Sequence, residues 1–226
     1  KMKNFFDKRK IKKFKKIIFV SKEGKESFIA VYPKLKDRVI TCNNLVNDKR
    51  ILNQAEEPVK DLKKENVVTF LNVGRQKKLT RIIYSAEQLK KDNKKFRIIF
   101  IGDGPDTNLY KEEVKNKKIE HEIVFLGRKK NPYPYYKLCD CVVLSSDYEG
   151  YPVVYLESFI LNKPIITTNV SDSEQIEGQG IVVEKDETEI YKAMKDFIEN
   201  GYQITKQFDA KEYNNNIFNK LQEIIG

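Results

Sequence analysis

The chain has 226 residues, a formal charge of +10, 40% hydrophobic residues and 11% aromatic residues. That is enough apolar material for a packed core, and the length suits one domain, or one domain plus part of another, at roughly 100–200 residues each. No apolar run reaches the ~18 residues of a membrane span and no secretory leader opens the chain. Cys42, Cys139 and Cys141 form no CxxC pair, and His121 is the one histidine. Disulfide frameworks, zinc sites and a Ser-His-Asp triad therefore lack material, which points to a reduced, cytoplasmic, metal-free protein.

In chain order, the first feature is a basic arm. Residues 1–16 hold nine Lys or Arg and one Asp, leaving 34 basic and 32 acidic groups in the remaining 210 residues. A domain-wide basic face is thus excluded, and with no recognition motif beside the charge, no nucleic acid is expected. The arm reads as a solvated segment beside a neighbouring domain or as a peripheral contact with anionic lipid at the inner face of the cell membrane. Two strand-like runs follow, IIFVS (17–21) and RVITCNN (38–44), then a polar helical stretch around 48–64. Two strands and an arm do not close a core. Residues 1–66 are therefore expected to be the tail of an N-terminal domain and the crossing out of it.

From Val67 onward, β-branched apolar runs alternate with amphipathic stretches. The runs are 67–73, 97–103, 122–127, 141–146, 164–170 and 180–185, and the helical patterns are Leu79 to Asp92, 106–118, 132–139, 152–162 and 187–200. Mostly continuous apolar strands separated by helices predict a doubly wound parallel α/β sheet over 67–207, with ligands held at the carboxyl ends of the strands. Residues 208–226 read as a terminal amphipathic helix with Tyr213, Ile217, Leu221 and Ile224 or Ile225 inward.

The stretch SSDYEGYPVVYLES, 145–158, carries the chemistry. A strand ends, a short loop follows, and Pro152 opens a helix whose free N–H groups favour phosphate or sugar oxygens. Gly150 allows close approach to the main chain. Glu149 lies in the loop and Glu157 within an otherwise apolar helix, where an unpaired buried carboxylate is costly unless it faces a polar cleft. Each could hold a cis-diol. Taken singly, Glu149 is an ordinary helix-dipole residue and Glu157 a solvated one; the combination makes them a site. His121, Asp103 and Asp140 read as structural or exposed residues. Tyr133, Tyr135 and Tyr136 read as packing of the short helix at 132–139, with one of them free to edge a pocket.

The pair Glu149 and Glu157, separated by GYPVVYL, resembles the Glu–seven residues–Glu signature of the retaining glycosyltransferases of family 4 (glycosyl transferases group 1). FLNVGR (70–75), IGDGP (101–105), VFLG (124–127), CDCVVLSS (139–146) and NKPIITTNVSD (162–172) follow that family's order. The resemblance covers about residues 15–226. It implies the GT-B fold, of which this chain would be the Rossmann-like C-terminal, donor-binding half behind a remnant of the N-terminal (acceptor) domain.

It implies further that Arg75 and Lys78 neutralise the diphosphate of a nucleotide sugar such as a UDP-sugar. Glu157 would hold the ribose and Glu149 the transferred hexose. The backbone of Gly74 and of Gly150, Tyr151 and Pro152 would steady sugar and phosphate, and the main chain at Arg128 and Lys129 would flank the base. Catalysis would rest on Glu149, Arg75 and Lys78, with no cofactor and no metal. GRQKK is shorter than the family's spacing between Gly-Arg and Lys, which leaves Lys77 as an alternative to Lys78.

The expected activity is hexose transfer with retention to a saccharide or lipid-linked acceptor in surface polysaccharide or glycolipid synthesis. The chain alone is expected to be poorly active. A non-catalytic nucleotide-sugar-binding or assembly module is the alternative, and a GT-B nucleotide-sugar epimerase a weaker one.

Overall fold

A computed structural model describes residues 11, 13–75, 77–170 and 172–225. Most of the basic arm, and with it the expected lipid or neighbour contact, lies outside them. The chain forms two compact units, one of residues 1–45 with 211–226, the other of 46–210.

In the first unit, β1 (Ile17–Phe19) and β2 (Val39–Thr41) are parallel, with Ile17 opposite Val39 and Phe19 opposite Thr41. Between them run α1 (Lys22–Val31) and a 3-10 turn, Pro33–Arg38. Ser21 caps α1 by accepting from the Gly24 N–H at 3.1 Å, which satisfies one orphan donor of the first turn. The unit has a core of its own, Ile11, Phe28 and Val39, with the Phe19 ring tilted against that of Phe28 at 5.1 Å between centroids. The sequence reading missed α1 because its sequence is polar, contains Gly24 and buries only Phe28. A helix between parallel strands is what lets so short a segment close a core. The terminal helix α8 (Ala210–Ile225) buries Ile217, and its Tyr213 hydroxyl donates to the Asn44 carbonyl at 3.0 Å.

The second unit begins with α2 (Asp48–Ala55), capped by Asn47. The helix is shorter than the pattern over 48–64 suggests, because Pro58 bars its continuation and biases Glu57 away from helix. It packs on α5 (Tyr133–Leu138) and α6 (Val153–Ile160). The other elements are β3 (Val68–Val73), α3 (Thr80–Lys91), β4 (Phe96–Ile101), α4 (Thr107–Asn116), β5 (Ile123–Gly127), β6 (Cys141–Leu144), β7 (Ile165–Thr168), β8 (Gly180–Val183) and α7 (Glu187–Asn200).

All six strands are parallel, in the order β5-β4-β3-β6-β7-β8. The doubly wound sheet expected from the sequence is thus present. Phe70, Ile98, Phe100, Val143 and Ile166 point to one face, against Ile82, Ile83 and Leu89 of α3 and Ile190, Met194 and Phe197 of α7. The alternate residues Leu71, Ile99, Val142 and Ile165 are equally buried, so the other face is also covered. Burial on this scale stabilises each large side chain by about 1.5–3 kcal/mol.

Strand order reverses direction between β3, the first strand of the sheet, and β6, the fourth. A crevice must open there at the carboxyl ends, because successive connections leave to opposite sides. The Asn72 amide ties the two strands under it, donating to the Val143 carbonyl at 2.7 Å.

Candidate functional site

The floor of the site is built by glycines at the strand ends. The Gly74 N–H donates to the Ile101 carbonyl at 3.0 Å and the Gly102 N–H to the Gly127 carbonyl at 2.8 Å, closing β3, β4 and β5 into one rim. Gly102 has φ +123°, and a Cβ there would lie 1.8 Å from the Gly74 carbonyl oxygen, so only glycine fits. This turn ends β4 at Ile101, short of the Asp103 expected from the apolar run.

Two openings share this floor. A cleft of about 630 Å³ is lined by Gly74, Arg75, Asp103, Arg128, Lys129 and Pro132, among others. A smaller cavity of about 150 Å³ at the β3/β6 crevice is lined by Asn72, Arg75, Lys77, Ser146, Glu149 and the start of α6. Arg75 is exposed and borders both. Their combined size suits a nucleotide with an attached sugar, since ligand clefts run to ~300–1,000 Å³.

At the small cavity, Glu149 is held by three polar contacts. Lys77 Nζ donates to Oε1 and Oε2 at 3.1 and 3.0 Å, and Ser146 Oγ donates to Oε1 at 2.7 Å. Lys78 is placed otherwise. Its backbone has φ +52° and its Nζ pairs with Asp147 at 3.3 Å, so of the two lysines it is Lys77 that meets Glu149. The loop is fixed from below by Arg81 of α3, which donates to the Ser145 carbonyl at 2.8 Å and pairs with Asp147 at 2.6 Å.

Pro152 stands at the N-cap of α6 rather than inside its first turn, and no side chain caps the helix. The free end of the helix, with its partial positive charge, thus borders the cavity. Gly150 faces open space, and the Tyr151 ring is buried with its hydroxyl donating to Gln175 at 2.9 Å.

Glu157 lies one turn beyond Val153 on the same side of α6. Its oxygens accept from two tyrosines of α5, Oε1 from the Tyr133 hydroxyl at 3.1 Å and Oε2 from the Tyr136 hydroxyl at 3.0 Å. Burial pushes its carboxyl above the ordinary value, and the two hydroxyls together with Arg50 of α2 pull the other way. Burial, then the neighbouring Glu157 charge, raises both phenols, so they stay protonated donors.

At the far edge of the larger cleft, Lys129 pairs with Asp61, which also accepts from the Tyr135 hydroxyl at 2.7 Å. The hydrogen bond from Lys129 holds the Asp61 carboxyl below its usual range. Arg128 is mostly exposed and pairs with Asp103 at 2.7 Å.

The structure therefore brings Gly74, Arg75, Glu149, Tyr151 and Pro152 together, with Arg128 and Lys129 across the larger cleft and Lys78 turned aside. Sequence reasoning did not find Asp61, Ser146, or the roles of Tyr133 and Tyr136; the Tyr-Pro-Tyr-Tyr run, unusually rich in hydroxyls for packing alone, was the available signal. Asp140 is structural: its carboxylate accepts from the Thr69 N–H at 2.8 Å. His121 is exposed. Among the described residues no cluster of three His, Cys, Asp or Glu could hold a metal ion, and no helix is long and apolar enough to cross a membrane.

Known proteins match this architecture. A family model described as glycosyl transferases group 1 covers residues 51–216. An uncharacterized glycosyltransferase of Methanocaldococcus jannaschii is 28% identical over 160 residues, covering 68% of this chain and 39% of that protein. The N-acetylgalactosamine-N,N'-diacetylbacillosaminyl-diphospho-undecaprenol 4-alpha-N-acetylgalactosaminyltransferase of Campylobacter jejuni is 24% identical over 165 residues, covering 70% of this chain and 44% of that protein. The chain thus spans about two-fifths of the length of these relatives. Among solved structures, Anabaena Alr3699/HepE in complex with UDP superimposes with a TM-score of 0.73 at 16% identity, covering 92% of this chain and 64% of that one.

Proposed function

The chain belongs to the glycosyl transferases group 1 family, and from that premise we propose that it is the donor-binding half of a family 4 hexosyltransferase that works with retention of configuration. The observation that carries the reading is the β3/β6 crevice, where Arg75, Lys77, Glu149 and the uncapped end of α6 border one cavity beside a nucleotide-sized cleft.

In this reading the base lies along the segment at Arg128 and Lys129. The ribose reaches Glu157, the diphosphate meets Arg75, Lys77 and the α6 N-terminus, and the hexose hydroxyls meet Glu149. An acceptor hydroxyl attacks the anomeric carbon as the bond to the diphosphate oxygen breaks, and the acceptor's proton passes to the departing diphosphate. The charge that develops on that oxygen is offset by the two cations and the helix end. Two cations lining the crevice, Arg75 and Lys77, support a reaction that needs no resident metal. A saccharide or lipid-linked acceptor fits, with most of its contacts outside this chain, so the chain alone binds donor but transfers slowly.

A thermal-shift series with UDP, GDP, ADP and their hexose conjugates, with and without EDTA, tests this. Stabilisation that grows with ligand concentration and survives EDTA is expected for one base. No shift with any nucleotide would leave the assembly-module reading, in which the fold is kept without the ligand.

A further inference from the structure

Glu157 is engaged on both oxygens, yet each bond comes from a neutral hydroxyl, and both hydroxyls belong to one short helix, α5. Tyr136 is fully buried and Tyr133 nearly so, so the two rings are fixed by packing. An ionised carboxylate has about four lone-pair directions, and the tyrosines take two. One direction remains on each oxygen, which is the requirement for accepting two hydroxyls of a cis-diol. The carboxylate is half-buried rather than sealed; it lies one turn along α6 from Val153, which lines the small cavity, and is itself in the lining of neither opening. Pro132, immediately before Tyr133, lines the larger cleft.

Resting on the donor-binding reading above, we infer that Tyr133 and Tyr136 are positioning residues that aim the Glu157 carboxylate at the ribose and make this half selective for ribonucleotides over 2′-deoxyribonucleotides. A carboxylate on a flexible stem would otherwise sample several rotamers and lose part of its bidentate advantage. The hydroxyls also favour the ionised form that accepts a diol. Burial opposes ionisation, and Tyr133, Tyr136 and Arg50 are the groups that face Glu157 from α5 and α2 and counter it. Removing both hydroxyls leaves Arg50 alone against burial, so the carboxyl takes up its proton at a higher pH. Phe keeps the ring and its packing, which isolates the hydroxyl.

The test is calorimetric titration of the chain and of its Tyr133→Phe, Tyr136→Phe and double variants with UDP, GDP and their 2′-deoxy forms from pH 5 to 8. The wild-type chain is expected to prefer the ribo form of its base by about 10-fold or more, the worth of charge-assisted bonds to a diol. The double Phe variant should lose most of that preference by weakening toward the ribo form alone. Its binding should also fall away on the acid side at a higher pH than in wild type. Equal weakening toward ribo and deoxy forms, or an unchanged ratio and acid limb, would overturn the inference and leave the tyrosines as packing. No binding of any nucleotide by the wild-type chain would overturn the donor reading itself, and the inference with it.

Discussion

Glu149 and Glu157 lie on one strand-loop-helix segment, yet the fold treats them differently. Glu149 sits against a lysine ammonium and a serine hydroxyl at the mouth of the crevice. Glu157 is sunk between two tyrosine hydroxyls, with its carboxyl raised by burial. The first acid is charge-compensated by a half-exposed lysine, a cation that also suits a phosphate. The second is held at a cost in a site shaped for neutral hydroxyls. On the proposed reading the difference separates two tasks, one acid that exchanges partners as ligand enters and one that stands ready for it.

The largest expected effect concerns Glu157. Replacing it with Ala should weaken nucleoside diphosphate binding by ~10–100-fold, because charge-assisted bonds are worth about 1.5–3 kcal/mol. Calorimetry should show the same loss whether or not a hexose is attached. An unchanged Kd would remove the ribose assignment and the contrast with it.

Glu149→Gln should act in the opposite sense on the bare nucleotide. With its carboxylate partner neutralised, Lys77 is free for the diphosphate, and UDP or GDP should bind about 2–5-fold tighter, within the range for a partly exposed ion pair. The extra affinity of the hexose conjugate over the bare diphosphate should disappear. Weaker binding of the bare diphosphate would mean that Glu149 orders Lys77 for the ligand rather than competing for it.

A smaller effect appears in stability. The Glu157 carboxyl is raised in the folded chain, so between its ordinary value of 4.5 and the raised one the native state keeps a proton that the unfolded state has released. Stability therefore falls as pH rises through that window, and the cost is complete once the pH lies above the raised value. Glu157→Gln removes it and should raise Tm by roughly 2–4 °C near pH 7, with the gain vanishing below about pH 4.5. A lower Tm at pH 7 would show that the tyrosine bonds outweigh burial.

The six central strands were legible in the sequence because a parallel sheet covered on both faces demands runs such as RIIFI and CVVL, which little else produces. The spacing of Glu149 and Glu157 was legible for a similar local reason, since a strand end, a glycine and a proline fix where the helix starts. What remained hidden depended on contacts distant in sequence or on a single backbone angle. The tyrosine cradle joins residues 21 and 24 apart on different helices. That Lys77 rather than Lys78 meets Glu149 goes with a positive φ at Lys78, whose side chain pairs with Asp147. The helix at Lys22–Val31 escaped notice because only Phe28 marks its buried side.

A crystal structure of the chain with UDP or GDP bound bears most directly on the whole. The expected result places the ribose hydroxyls on Glu157, still bonded by Tyr133 and Tyr136, and the diphosphate at Arg75 and the start of α6 with Lys77 moved off Glu149. A nucleotide seated elsewhere on the chain, with Lys77 still on Glu149 and Glu157 touching only the tyrosines, would contradict it.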